Sequence, residues 1–499
     1  MVPLARVLWV KLDGEGALHR QLYRALRASI LDGRLGPDER LPSTRSFARE
    51  LGLSRNTVLQ AIDQLVAEGY ASGRVGSGTY VASELPQPPR GPRTLGSAST
   101  VSSLGGAQPR LSSLGERLSL VAPPGRASWS PWPELLPYDF RYGEPSFSDL
   151  PMDAWSRILG RRARRLSARR LAYQPPGGAA ELREALAGYL GRARGVVCSP
   201  DDIVIVHGSQ QAVDLVARLL VNPGDPVVIE EPHYTGFSFC LNAAGASLVH
   251  IGVDEHGLRT DDLEHVEDAR LVCVTPSHQY PTGAVLSLAR RLALIDWATR
   301  HESYVLEDDY DGEFRFDGKP IECLQALDRS GRVIYTGTAS KLLFPSLRIG
   351  WLIAPPALAP YCLNAKALAD TGTPSIEQFA LADFISEGHL ERHARKARTR
   401  TAARRRALLE SVDSELAGRV EVLGASAGLH VLMKIPDMDA RDVTRLRQAC
   451  RELGVGVYPA GPFYSKPPAH AELLLGYAAL SEETIREGIK RLRRALDLM

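Results

Sequence analysis

Gly337-Thr338-Ala339-Ser340-Lys341, followed shortly by Arg348, decides how the larger part of this chain is read. The lysine sits among small hydroxyl residues after an apolar run, Val333 to Tyr335, so its amine is expected in a pocket. Desolvation there lowers an amine's pKa and keeps the neutral, nucleophilic form accessible for condensation with an aldehyde. Thr338, Ser340 and the Arg348 guanidinium would surround a phosphate with donors and positive charge. Upstream, Glu307-Asp308-Asp309-Tyr310 places Asp308 at a strand end, where a carboxylate keeps a pyridine nitrogen protonated. In this order the pieces point to pyridoxal 5′-phosphate.

Outward from that stretch, apolar runs alternate with helical segments, as expected for an α/β domain with a mostly parallel sheet. The runs are Ile203 to Val206, Pro226 to Ile229, Leu271 to Val274, Tyr304 to Leu306, Val333 to Tyr335 and Ile349 to Ile353. The chemistry-bearing residues follow these runs, at the carboxyl edge where open α/β sheets bind ligands. Gly208-Ser209-Gln210-Gln211 opens a helix whose free amides and dipole favour a phosphate. From about Ile376, a long helix, short strands and a final amphipathic helix near Glu482 to Leu496 suggest a smaller α+β lobe.

The other end of the chain is different. Arg40-Leu41-Pro42-Ser43-Thr44-Arg45 leads into Ala48 to Val58, two short helices joined by a turn at Gly52. Ser54 is positioned to cap the second, with Val58, Ala61, Ile62 and Leu65 on its inner face. Arg55, Asn56, Thr57 and Gln60 then fall on the outer face near its start, where a recognition helix meets base edges and phosphates. Ser43, Thr44 and Arg45 are further candidates for DNA contact. Arg74, Gly76, Ser77 and Gly78 form the tip of a hairpin, a wing that approaches a sugar-phosphate backbone.

The N-terminal part resembles a GntR-type winged helix-turn-helix, and the rest is similar to a fold-type I aminotransferase. Together, through Leu41-Pro42-Ser43-Thr44-Arg45, His278-Gln279-Tyr280-Pro281-Thr282-Gly283 and Glu307-Asp308-Asp309-Tyr310-Asp311, they resemble the MocR/GabR family of bacterial transcriptional regulators. The resemblance implies a pyridoxal phosphate-binding regulator of double-stranded operator DNA that senses the cofactor or an amino compound. It also implies a head-to-tail, domain-swapped homodimer and at most a weak transamination. The alternative is a working aminotransferase with an appended DNA-binding domain. Carried over by resemblance, Lys341 holds the cofactor, Asp308 faces the pyridine nitrogen and Tyr310 the ring phenolate oxygen. Tyr234 stacks on the ring, and Ser209, Gln210, Thr338, Ser340 and Arg348 hold the phosphate. Tyr173 resembles the tyrosine that crosses the dimer interface to the neighbouring phosphate. Asp309, Asp311 and Glu313 are expected as exposed loop acids.

Two departures matter, and the first favours the regulator branch. Tyr280 stands before Pro281-Thr282-Gly283, where aminotransferases carry asparagine. Neither Leu473-Leu474-Leu475-Gly476-Tyr477 nor Tyr458 to Tyr464 contains the arginine that grips a substrate carboxylate. Ordinary amino-acid capture is thereby put in question, unless another arginine such as Arg141 substitutes. The narrower expectation is that the cofactor is itself the signal, with vitamin B6 synthesis genes as targets. Arginine-dense stretches at 157–170 and 392–406 read as helices with solvated basic faces, the sharper reading being a positive track for bent DNA.

Composition sets the remaining bounds. The 499 residues carry a net charge of +2, so no global polycation drives DNA binding. Residues 1–83 hold 11 basic against 8 acidic side chains, a surplus that suffices if a dimer doubles the contacts. The six cysteines lack metal-ligand spacing and read as ordinary thiols of a reducing compartment. No signal peptide or membrane-spanning run is apparent, so the expectation is cytoplasmic. The division expected is a winged helix at 1–82, a Pro/Gly/Ser-rich linker at 83–137, a cofactor-binding large domain at 138–375 and a small C-terminal domain at 376–499. The linker is too poor in apolar surface to order fully, although the island Leu111 to Leu120 is placed to dock on a domain surface.

Overall fold

The computed structural model describes residues 10–74, 77–83, 110–120, 136–317 and 322–499. The chain divides into two compact units, Met1–Pro109 and Arg110–Met499.

The first unit contains α1 (Leu18–Leu31), α2 (Thr44–Leu51), α3 (Arg55–Ala67) and a hairpin of β1 (Ala71–Arg74) and β2 (Gly78–Val81). Helix α1 was not singled out from the sequence; its Leu22, Leu26 and Ile30 form one wall of the core. The α2–α3 turn follows its local chemistry. Gly52 closes α2 with φ +65°, a left-handed conformation glycine adopts without strain, and the Ser54 hydroxyl accepts from the Thr57 amide at 3.1 Å. Val58, Ala61, Ile62 and Leu65 all face the core. In the hairpin Arg74 pairs with Gly78 across an antiparallel register, and Arg40 bridges to Tyr80.

In the second unit, β3 (Tyr138–Asp139) pairs with Val455–Gly456. The central sheet comprises β4 (Ile203–Val206), β5 (Pro226–Glu231), β6 (Ser247–Asp254), β7 (Gly257–Leu258), β8 (Leu271–Val274), β9 (Tyr304–Asp309), β10 (Val333–Thr338) and β11 (Gly350–Ile353). Their spatial order is β4-β11-β10-β9-β8-β5-β6-β7. From β10 through β6 every pairing is parallel, whereas β11 runs antiparallel to both β10 and β4, and β7 antiparallel to β6. The strands β6 and β7 lie outside the runs picked out from the sequence.

Helices cover both faces, which is why the strands read as unbroken apolar runs. Val204, Val206 and Ile229 pack on Val213 and Val216 of the helix Ser209–Leu220. On the opposite face Val272 and Val305 meet Leu294 and Trp297 of the helix Leu288–Arg300. The C-terminal lobe is a four-stranded sheet of Glu421–Leu423, His430–Asp439, His470–Gly476 and Tyr458–Pro459, backed by the helix Glu482–Asp497.

Most of the linker, 84–109 and 121–135, lies outside the described residues. Within it, the helix Ser113–Leu120 lies beside the helix Thr235–Ala244 and is tied to it by Arg117 Nε, which donates to the Ala243 carbonyl at 2.9 Å. The described contact is polar, while Leu114, Leu118 and Leu120 remain exposed.

Candidate cofactor site and nucleic-acid interface

Chain topology gathers the second unit's site at one edge of its sheet. Ser209 follows β4, Tyr234 follows β5, Asp308 lies near the end of β9 and Lys341 follows β10. Arg348 precedes β11; because that strand alone among its neighbours runs backwards, its amino end returns to the carboxyl edge of the others. Gly350 and Gly208 touch there: a Cβ on Gly350 would lie 2.8 Å from Gly208 Cα, and one on Gly208 would lie 3.1 Å from the Arg348 guanidinium. The helix starting at Ser209 has Gly208 at φ +86° as its cap, with no side-chain cap hydrogen bond. Nearby, Thr338 Oγ1 bonds Ser340 Oγ at 2.9 Å. An uncapped helix start, a guanidinium and two hydroxyls make an anion cradle that side chains at either glycine would fill.

Asp308 is buried, and burial pushes its carboxyl up to about 7, opposed by the hydroxyl of Ser209 that donates to Oδ1 at 3.1 Å. Lys341 Nζ donates to the Gly143 carbonyl at 2.8 Å. Burial lowers its pKa, with Asp311 and Asp308 pulling the other way. An amine whose pKa is lowered by burial and a buried carboxyl raised to about 7 suit the aldehyde and pyridine nitrogen of pyridoxal phosphate. The residues present fit the group.

Several side chains take positions that the sequence did not suggest. Gln210 turns away from the cradle, its amide donating to Gly236 O at 3.1 Å and meeting Cys240 Sγ. Tyr310 donates from its hydroxyl to the His278 carbonyl at 2.9 Å and also meets His278 Nδ1. Tyr234 crosses Tyr280 edge-on, and Tyr280 in turn contacts Tyr310, Tyr142 and Phe463, so that an aromatic cluster stands where aminotransferases carry an asparagine. Tyr173 is not drawn into this cluster and is 94% exposed.

The expectation of exposed acids at Asp309, Asp311 and Glu313 is corrected. Asp309 is buried against Arg194, with Nε to Oδ2 at 2.6 Å, and accepts from the Tyr335 hydroxyl at 2.8 Å. Burial alone would raise its pKa, but the guanidinium outweighs this and holds it below the ordinary value. Asp311 is buried beside His278 Nδ1 at 3.0 Å. Glu313 accepts from the Tyr189 hydroxyl at 3.0 Å, and burial pushes it up to about 6. Their partners are distant in the chain, so a run of acids looked solvated when it is internal. His278, Asp311 and Arg194 are the residues missed as part of the site's frame. The quoted motif around His278 was the available signal.

Arg141 is also engaged: Nη2 lies 3.1 Å from Asp139 Oδ2, and Nε donates to the Tyr458 hydroxyl at 3.3 Å. Several arginines of the two basic stretches are likewise paired. Arg161 and Arg162 bind Asp383, Arg400 and Arg404 bind Asp149, and Arg405 binds Asp317.

In the first unit Arg55, Asn56 and Gln60 are exposed on α3, with Thr57 half-buried at its first turn. Ser43 caps α2 by accepting from the Ser46 amide at 3.2 Å, Thr44 begins that helix, and Arg45 is exposed. At the wing, Arg74 lies over the Tyr80 ring and pairs with Asp38, while the Ser77 hydroxyl meets that of Tyr80 at 2.7 Å. Gly78 takes φ +115°, and Gly76 lies outside the described residues. Among the described residues no helix is long and apolar enough to cross a membrane.

Comparison with known proteins agrees with both units. Residues 18–81 match the bacterial regulatory proteins, gntR family, and residues 142–492 match aminotransferase class I and II. The chain is 39% identical over 485 residues to a probable rhizopine catabolism regulatory protein, MocR, of Rhizobium meliloti, covering 97% of this chain and 94% of that one. It is 29% identical to the pyridoxine biosynthesis transcriptional regulator PdxR of Corynebacterium glutamicum, with 96% of each covered. Among solved structures, the α-aminoadipate aminotransferase LysN of Thermus thermophilus, complexed with N-(5′-phosphopyridoxyl)-L-leucine, superimposes with a TM-score of 0.67 at 30% identity. That match covers 72% of this chain and 92% of the aminotransferase.

Proposed function

Because this chain belongs to the MocR/GabR family, a GntR-type winged helix-turn-helix joined to an aminotransferase class I and II domain, we propose that its signal is pyridoxal 5′-phosphate itself. It is a transcriptional regulator that binds operator DNA through the winged helix and the cofactor through the aminotransferase-like domain. What supports the narrower reading is a set of residues suited to the cofactor, Lys341, Asp308, Ser209, Thr338, Ser340 and Arg348, together with an engaged Arg141. Asp139 pairs with the guanidinium of Arg141, an example of an arginine that would substitute for the substrate arginine. Tyr280, packed in its aromatic cluster, stands in place of the aminotransferase asparagine and offers a phenol instead of an amide.

When bound, the cofactor supplies an aldehyde, a phosphate and a pyridine nitrogen. Lys341 offers its amine to the first, and the helix start at Ser209 with Thr338, Ser340 and Arg348 offers donors to the second. Asp308 holds the proton at the third, and Tyr234 and Tyr310 border the ring. The domain division proposed is 1–82, 83–137, 138–375 and 376–499; the gntR match at 18–81 lies within the first segment, and the aminotransferase match at 142–492 runs across the last two. A homodimer is supported by exposed Leu171, Tyr173, Tyr361 and Leu368 around the loop at 173–178 and the helix Ala359–Asp370. These surround the point where Leu363 meets Gly177. Vitamin B6 synthesis genes are the proposed targets, as the name of the Corynebacterium relative suggests.

Switching requires that the cofactor bind two states of the protein with different affinity. Titration of cofactor-free protein on operator duplexes selected from random sequence tests this. Added pyridoxal phosphate is expected to shift operator affinity by roughly five-fold or more. A shift produced by an amino acid and not by the cofactor would overturn the reading. The set of Lys341, Asp308 and Arg348 is also compatible with transamination, and sustained steady-state turnover with amino donors would favour the enzyme.

A further inference from the structure

Beside the cofactor pocket lies a second cluster that none of this chemistry uses. Glu231 ends β5, His250 lies on the adjacent parallel strand β6, and His233 follows two residues after Glu231. One carboxylate oxygen, Oε2, is 2.8 Å from His250 Nδ1 and 3.6 Å from His233 Nδ1. The three prospective ligand atoms all lie within 4.8 Å of one another.

An ordinary ion pair explains only part of this arrangement. A Glu231–His250 pair satisfies those two side chains but leaves His233 stranded: it is 95% buried, since only 5% of its surface is exposed, and its Nδ1 makes no hydrogen bond. A buried ring nitrogen without a partner is costly, and here it points to a ligand. The other Glu231 oxygen, Oε1, accepts from the Ser465 amide at 2.7 Å and the Ser465 hydroxyl at 2.9 Å, which fixes the carboxylate as an outer shell fixes a metal ligand. The His233 amide donates to the Phe463 carbonyl at 2.9 Å, so its backbone is also held. The side chains of Glu231 and His250 retain 20% and 27% exposure, leaving an entry path and room for water.

We propose that Glu231, His233 and His250 bind a zinc-class divalent cation with an open position for water. Two imidazoles and one carboxylate form a donor set of the kind zinc takes with three protein ligands. Metal–ligand bonds of about 2.0–2.2 Å place ligand atoms roughly 3.3–3.6 Å apart in a tetrahedron. The observed 2.8 and 3.6 Å bracket that spacing, so modest side-chain movement suffices. An ion here would clamp β5 to β6 and, through Ser465 and Phe463, to the C-terminal lobe. It would thereby fix the segment that carries Tyr234.

The test uses untagged, full-length, cofactor-loaded protein, dialysed against a chelator and titrated with zinc. Bound metal is counted after desalting. One zinc per chain is expected, accompanied by a rise in Tm. Glu231→Gln and His250→Gln should each weaken binding by at least the roughly 10- to 100-fold that outer-shell partners contribute. His256→Gln, an exposed histidine outside the cluster, should change nothing. The cofactor absorbance and metal-free Tm of His250→Gln, whose ring is partly exposed, establish that the variant is folded. Absence of stoichiometric zinc in the wild type would overturn the proposal. Binding that persists unchanged in both variants, or magnesium held as tightly as zinc, would do so as well.

Discussion

In the winged-helix unit Arg55, Asn56 and Gln60 stand exposed along one side of a single helix, whereas in the aminotransferase-like unit Asp308 and Lys341 come together from strands β9 and β10 into a buried pocket. The first arrangement leaves charge in water, where it costs little to maintain and stays available to a polyanion. The second removes charge from water and shifts it: Asp308 rises to about 7 and Lys341 falls. A surface for reading DNA therefore depends on one helix and its caps, and a pocket for a cofactor depends on the relative placement of many elements.

Lys341→Ala tests that contrast most severely. It removes the only amine that the cofactor reading assigns to covalent attachment, and the visible absorbance of bound cofactor should disappear. Operator binding by the winged helix should persist in the same preparation, measured by anisotropy in the absence of added cofactor. Loss of both together would break the separation between the two regions.

A core substitution sharpens it from the other side. Leu65 is fully buried on the inner face of α3, and Leu65→Ala should destabilise the winged-helix unit by about 2–5 kcal/mol. Denaturant unfolding is expected to show that unit's transition displaced, while the cofactor band reports an intact second unit. The smallest effect is expected at the surface. Arg55→Ala should weaken operator binding by about 1–3 kcal/mol, with unfolding and cofactor absorbance unchanged. An unaltered operator affinity would remove Arg55 from the interface.

The same contrast governs how much was legible beforehand. Val58, Ala61, Ile62 and Leu65 recur at helical spacing, and the cap at Ser54 and the turn at Gly52 lie within a few residues of the helices they bound. Such signals are local, so they survive in one dimension. Asp309, Asp311 and Glu313 looked like a hydrated acidic run because Arg194 is 115 residues from Asp309, and His278 is 33 from Asp311. In the basic stretches the solvated face is there, with Arg157, Arg164, Arg165, Arg169, Arg392, Arg395 and Arg398 exposed, but the ion pairs of other arginines with Asp149, Asp317 and Asp383 come from other elements.

What the chain determined by itself was its vocabulary: a lysine after an apolar strand, hydroxyls and an arginine around it, an acid on the strand before, and a capped helix pair ahead of a glycine-rich hairpin. Each arises from side-chain chemistry and short-range backbone preference. Tertiary structure alone decided that β11 runs backwards and returns Arg348 to Gly208, that Asp139 engages Arg141, and that Glu231 meets two histidines. For the charged groups the reason is electrostatic. The cost of burying a charge, and whether a neighbour offsets it, depends on distances in space that sequence separation does not encode.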